Sequence, residues 1–120
     1  YLLEITDFLN PNYDNLTNNE IDIIKNLLNN ELFKNIKDAN IFKEYEFIEE
    51  TENETKTGII DLMLEYQDHI DIIDYKLKHI DDKAYINQLN GYKNYIHNLT
   101  NKPVNTYLYS ILDKKLFKLD

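Results

Sequence analysis

Hydrophobic and polar positions recur along this chain with two different periods, and the changes of period divide it into elements. Tyr1 to Asn10 reads as the tail of an apolar helix, and Pro11, Asn12, Asp14 and Asn15 form a loop. Thr17 and Glu20 stand at capping-box spacing, with Ile21, Ile24, Leu28 and Leu32 following on one helical face. This predicts a helix that starts near Asn18 and fades before Lys37. From Ile41 to Glu50 polarity alternates, the mark of a strand, and Thr51 to Thr57 is a polar turn. Gly58 then opens a second strand. Strict alternation puts Ile60, Leu62, Leu64 and Tyr66 on one face of it and Ile59, Asp61, Met63 and Glu65 on the other.

On the next strand Ile70, Ile72, Asp74 and Lys76 share a face. Gln67 and Asp68 read as the central residues of a two-residue hairpin loop, without the glycine that usually eases such a turn. That loop pairs Tyr66 with His69, and counting back from it sets Asp61 directly opposite Asp74 on the same face of the sheet. Opposed like charges destabilise a ladder, so the arrangement calls for something that offsets the repulsion. A divalent cation held by oxygen ligands would do so. Lys76, two residues past Asp74, points to the same side, where its ammonium can reach a water or a phosphate oxygen. Together these groups suit phosphodiester hydrolysis.

A polar linker follows Lys76. A helix is expected from about Asp82 to Leu99, with Tyr85, Leu89, Tyr92, Ile96 and Leu99 along its buried stripe. Pro103 marks its exit, and Val104 to Leu112 reads as a strand paired by hairpin with Lys115 to Leu119. Helix, three strands, helix, then one or two strands predict an α/β (α+β) fold, a central mixed sheet flanked by helices.

The 120 residues suit a single domain, 1–120. With 42% hydrophobic and 29% charged residues the chain has an ordinary globular composition. No apolar run approaches the roughly 20 residues of a membrane helix, so no membrane partner is expected and the cytoplasm is the expected compartment. The absence of cysteine confines any metal to oxygen or imidazole ligands. A net charge of -9 argues against a protein that grips phosphates mainly by basic side chains. A nucleic-acid substrate would need help from bound divalent ions or from basic surfaces of a parent protein. The chain opens on Tyr1, and Met63 is its one methionine, so a longer parent with a truncated first helix here is the expectation.

Four motifs then stand in order: Glu44 and Phe47 within Lys-Glu-Tyr-Glu-Phe, Gly58-Ile-Ile-Asp61, Asp74-Tyr-Lys76, and Gln88-Leu-Asn-Gly-Tyr92. With them, from about Ile24 to its end, the chain resembles the PD-(D/E)XK nuclease superfamily, specifically the RecB-like nuclease domain at the C-terminus of AddA-type helicase-nuclease subunits. The resemblance implies a restriction-endonuclease-like fold and a Mg²⁺- or Mn²⁺-dependent deoxyribonuclease of exonuclease type. It implies DNA as partner, single strands delivered by an attached ATP-driven helicase during double-strand-break repair and recombination, with a second helicase-nuclease subunit as a further partner. It also implies roles: Asp61 and Asp74 as metal ligands, the backbone carbonyl of Tyr75 as a third, and Lys76 as the catalytic lysine. Glu44 matches the acidic residue ahead of the nuclease hairpin, and Gln88 and Tyr92 match the helix motif that lines the site and contacts DNA. The family's early-helix histidine has no counterpart before His69 and is expected upstream of Tyr1, and Leu77 and Lys78 stand where Thr-Asp is usual.

Blander readings exist for each feature. Asp74 and Lys76 alone would be an exposed ion pair, Glu44 one member of an acidic edge with Glu46, Glu49 and Glu50, and Gln88 and Tyr92 flanks of the core stripe. His69, His79 and His97 read as surface histidines, and Lys114, Lys115 and Lys118 as a charged edge hairpin that blocks aggregation. A catalytically degenerate nuclease-like domain, serving as a structural or DNA-guiding module, is the alternative function. A helical interaction module would require a helical centre, which the two-residue alternation opposes.

Overall fold

The computed structural model describes residues 1–78 and 82–119. A five-stranded sheet runs in the order β1-β2-β3-β4-β5, formed by β1 (Asn40–Glu50), β2 (Thr55–Glu65), β3 (Ile70–Lys76), β4 (Val104–Ser110) and β5 (Lys115–Lys118). The neighbouring pairs are antiparallel except β3 with β4, which are parallel and joined by the crossover helix α3 (Lys83–Thr100). Two parallel neighbours require such a crossover, so the mixed sheet and the helix come as one unit. This is the α+β architecture expected from the order of elements.

One face of the sheet carries α1 (Leu2–Ile5) and α2 (Asn18–Leu28); the other carries α3. The α2 boundaries follow from its caps. The Thr17 hydroxyl accepts from the Glu20 N–H at 3.1 Å while the Glu20 carboxylate accepts from the Thr17 N–H at 2.9 Å, the reciprocal pairing that satisfies otherwise orphaned donors. It buries Ile23, Ile24 and Leu27, and its stripe therefore ends before Leu32, where two short 3₁₀ turns lead to β1. Tyr1 to Asn10 forms only the short α1 before Thr6 takes an extended conformation. The two apolar layers meet through the sheet. Leu62, Leu64, Ile73 and Tyr109 pack toward α2; Ile60, Met63, Ile70 and Ile72 pack toward Leu89, Tyr92 and Ile96 of α3.

Helix α3 begins where Asp82 accepts from the Ala84 N–H at 2.9 Å and ends at Asn101, in the left-handed region at φ 60°. Leu99 is 60% exposed, so the buried stripe closes one turn earlier, at Ile96. The second strand also begins earlier than its glycine, at Thr55, and β4 stops at Ser110 rather than Leu112. Lys115–Lys118 pairs with β4 as the expected edge hairpin. His79, read above as a surface histidine, lies outside the described residues, as does part of the linker after Lys76. No helix among the described residues is long and apolar enough to cross a membrane.

Candidate active site

The hairpin loop at Gln67 and Asp68 sets the register as expected. The Tyr66 N–H donates to the His69 carbonyl at 2.8 Å, and the ladder continues through Leu64↔Asp71 to Leu62↔Ile73. Hydrogen-bonded pairs recur every second residue in an antiparallel ladder, so Ile60 and Tyr75 would be next. There the β2–β3 ladder ends. The Tyr75 N–H donates instead to Oδ2 of Asp61 at 2.8 Å, so the side chain takes the place that the Ile60 carbonyl would have filled.

The cause is a kink shared by β1 and β2. Glu44, opposite Asp61 between the pairs Lys43↔Leu62 and Tyr45↔Ile60, has φ 52° and drops out of the ladder with it. A non-glycine residue there is strained. Its effect is a change of face. Phe42 and Tyr45, three residues apart, pack on the α3 side, and so do Ile60 and Met63. Strict alternation through β2 therefore fails at Asp61. Ile60 does not share a face with Leu62 and Leu64, and Asp61 sits at the crossover with its carboxyl in the gap between β2 and β3.

Asp74 reaches the same gap from β3. The two carboxyls lie close enough to act on each other, and Asp61 is pushed up to about 7. Burial is the largest cause and the Asp74 carboxyl the next; the Tyr75 N–H and the Lys76 charge pull the other way. A carboxyl that is buried and faces a second carboxyl holds its proton to higher pH than a solvated one. Asp74 is further held by the Tyr85 hydroxyl, which donates to its Oδ2 at 2.7 Å, and Nζ of Lys76 lies 3.9 Å from the same oxygen. The Lys76 side chain stays 42% exposed, with its ammonium 4.7 Å from the centre of the Tyr85 ring. Burial, the hydrogen bond to Asp74 and the two carboxylate charges together push the Tyr85 hydroxyl well above its ordinary value.

The Tyr75 carbonyl opens into the gap as well. Successive strand residues turn their backbone groups to opposite edges, and the Lys76 carbonyl accepts from Ile111 on the β4 side at 2.8 Å. Tyr75, whose N–H already points to Asp61, therefore directs its carbonyl toward β2. On the α2 side of the sheet, Asp61 and Tyr75 border a cavity of about 390 Å³ with Leu3, Glu4, Glu20 and Ile23.

The expected site residues thus fall into two groups. Asp61, Asp74, Tyr75 and Lys76 converge. Tyr92 reaches β2 just ahead of the kink, with its ring against Gly58, and Gln88 lines the same groove. Gly58 permits this approach, since a Cβ there would come within 2.6 Å of the Phe47 ring and 2.7 Å of the Tyr92 ring. Glu44 stands opposite Asp61 in the backbone register, but its side chain is exposed. Its clearest role is conformational, through its positive φ. Tyr85 is the residue the pattern along the chain conceals. It satisfies the helical core stripe, and only the packing of α3 across β3 shows its hydroxyl on Asp74.

Among the described residues no group of three or more His, Asp or Glu side chains converges as a ready metal cage. The donor set nonetheless fits Mg²⁺ or Mn²⁺. Two neighbouring carboxyls whose repulsion a cation would offset, with a backbone carbonyl turned to the same gap, would supply oxygen ligands while water or substrate completes the shell. No protein-family model matches the chain, and no curated protein matches it.

Proposed function

We propose that this chain is a divalent-metal-dependent deoxyribonuclease module of the PD-(D/E)XK, RecB-like type. The observation that carries the reading is the junction of Asp61, Asp74 and Lys76 where β2 and β3 part: two neighbouring carboxyls beside an accessible lysine. Asp61, Asp74 and the Tyr75 carbonyl would hold Mg²⁺ or Mn²⁺. When bound, the cation supplies Lewis-acid stabilisation of a phosphodiester and acidifies a water. Lys76 supplies a mobile ammonium that hydrogen-bonds a phosphate oxygen or orients the water, and it offsets charge building on the phosphoryl group. In the net reaction water adds to phosphorus, one phosphorus–oxygen ester bond breaks, and the leaving oxygen takes up a proton.

Beside Tyr92 runs a groove of about 520 Å³ lined by Thr57, Asn87, Gln88, Gly91 and Asn98 among others. Its amide-rich wall suits a strand that must approach a protein of net charge -9 without a strong electrostatic pull. Single strands fed by an attached helicase in double-strand-break processing, in the cytoplasm, are the substrate and setting that the family resemblance suggests. Restriction-endonuclease-like descent of the fold belongs to the same proposal.

The test is cleavage of single-stranded DNA, with thermal unfolding, across a Mg²⁺ and Mn²⁺ titration. Wild type should be stabilised by metal and should cleave. Asp74→Ala should lose the stabilisation, and Lys76→Ala should keep it while losing about 10²–10³-fold in rate. The alternative is a degenerate module that guides DNA. That alternative gains if neither metal stabilises the wild-type chain.

A further inference from the structure

We propose that Tyr85 is a positioning residue for both Asp74 and Lys76, setting the carboxylate by its hydroxyl and the ammonium by its ring. The inference rests on the nuclease reading of the site. Its grounds are two contacts that side chains of β3 make with one residue of α3, together with the distance between those two side chains.

The Tyr85 hydroxyl donates to Oδ2 of Asp74 at 2.7 Å, a short charge-assisted hydrogen bond from a ring that packs against the α3-side core. Tied at Oδ2, the carboxyl has one defined orientation in which it also meets the Asp61 carboxyl. A carboxylate that ligates metal needs such a partner, because an outer hydrogen bond sets the orientation of its lone pairs. The Tyr85 face meanwhile lies 4.7 Å from Nζ of Lys76, within cation–π range. Nζ stands 3.9 Å from Oδ2, beyond hydrogen-bond reach. An ammonium that closed fully onto Asp74 would satisfy that carboxylate and become unavailable to substrate. The ring offers it a second attraction, so the cation stays beside the carboxylate without being consumed by it.

The position is anchored independently. Asp82 caps α3 by accepting from the Ala84 N–H at 2.9 Å, and Tyr85 is the next residue along the chain. It therefore projects from the first turn of a helix whose start is fixed. A tyrosine needed only for packing would have no reason to direct its hydroxyl to an acidic side chain in the site.

Tyr85→Phe and Tyr85→Leu, made in the full chain, separate the two tasks. Mn²⁺ binding is measured by calorimetry, and kcat and KM are measured on single-stranded DNA. Tyr85→Phe, which keeps the ring, should weaken Mn²⁺ binding by about 10- to 100-fold, with kcat restored at saturating Mn²⁺. Tyr85→Leu should lower kcat even at saturating Mn²⁺, because Lys76 loses its platform, while KM for DNA stays near wild type. A Tyr85→Phe protein that binds Mn²⁺ and cleaves like wild type would overturn the role of Tyr85 and leave the nuclease reading standing. Wild type that neither binds Mn²⁺ nor cleaves would overturn both. Should Tyr85→Leu fail to fold, Tyr85→Phe decides the matter, since the ring that packs remains.

Discussion

Strand β3 carries two aspartates three residues apart, Asp71 and Asp74, and they meet opposite treatment. Asp71 is 2% exposed and surrounded by groups that answer its charge: Nδ2 of Asn105 at 3.2 Å and Nε2 of His69 at 3.4 Å, with Lys118 nearby. Burial raises it, and every neighbour opposes the burial. On β2, beside Asp74, burial also raises Asp61, but its first neighbour, Asp74, raises it further. Burial alone therefore does not mark a functional acid. A buried carboxylate matched with donors is part of the fold, whereas two that face each other leave the fold with a deficit that a ligand can fill.

The largest effect should come from breaking the matched acid. Asp71→Ala orphans Asn105 and His69 and is expected to cost about 1–3 kcal/mol in urea unfolding at pH 8. Asp74→Ala at the same pH should cost less, since the repulsion it removes offsets the partner lost by the Tyr85 hydroxyl. Equal losses in both variants would erase the contrast.

The pH dependence sharpens it. The folded value of Asp61, about 7, lies above its ordinary 3.8, so its contribution to stability is complete below about pH 4 and drains away as pH rises through 7. Asp71, also raised, acts with the same sign. Glu65 and Asp68 are lowered, by Lys102 and His69 respectively, so their contribution is complete above their ordinary values and is lost only as pH falls below them. Asp61→Asn should therefore flatten the decline between pH 5 and pH 8, by roughly 1–2 kcal/mol once solvent reaching the pair is allowed for. An unchanged slope in metal-free buffer would show that Asp61 is not raised by its surroundings. The smallest effect is that of Asn105→Ala, expected at about 1 kcal/mol, because it removes one of several groups around Asp71. A loss equal to that of Asp71→Ala would mean that Asn105 alone matches the buried acid.

Much of the site was legible because hairpin geometry is local. A two-residue loop at Gln67 and Asp68 determines the register of everything behind it, and that register brings Asp61 to Asp74. The caps at Thr17 and Asp82 likewise lie within a few residues of the backbone groups they satisfy. What alternation misjudged was the face of Ile60, since a single left-handed residue at Glu44 on the partner strand reverses the pleat, and no pattern within β2 reports it.

The amino-acid sequence by itself determined the elements, the hairpin register and the meeting of the two carboxylates, because each depends on hydrogen bonds and side-chain periodicity over short spans. Only the tertiary structure decided that the β2–β3 ladder opens at Asp61, that the Tyr75 carbonyl turns into the opening, and that Tyr85 stands on Asp74. Those three depend on how β1 kinks, how β4 pairs in parallel, and how α3 packs back across β3. All are contacts between segments far apart in the chain, whose geometry no local period encodes.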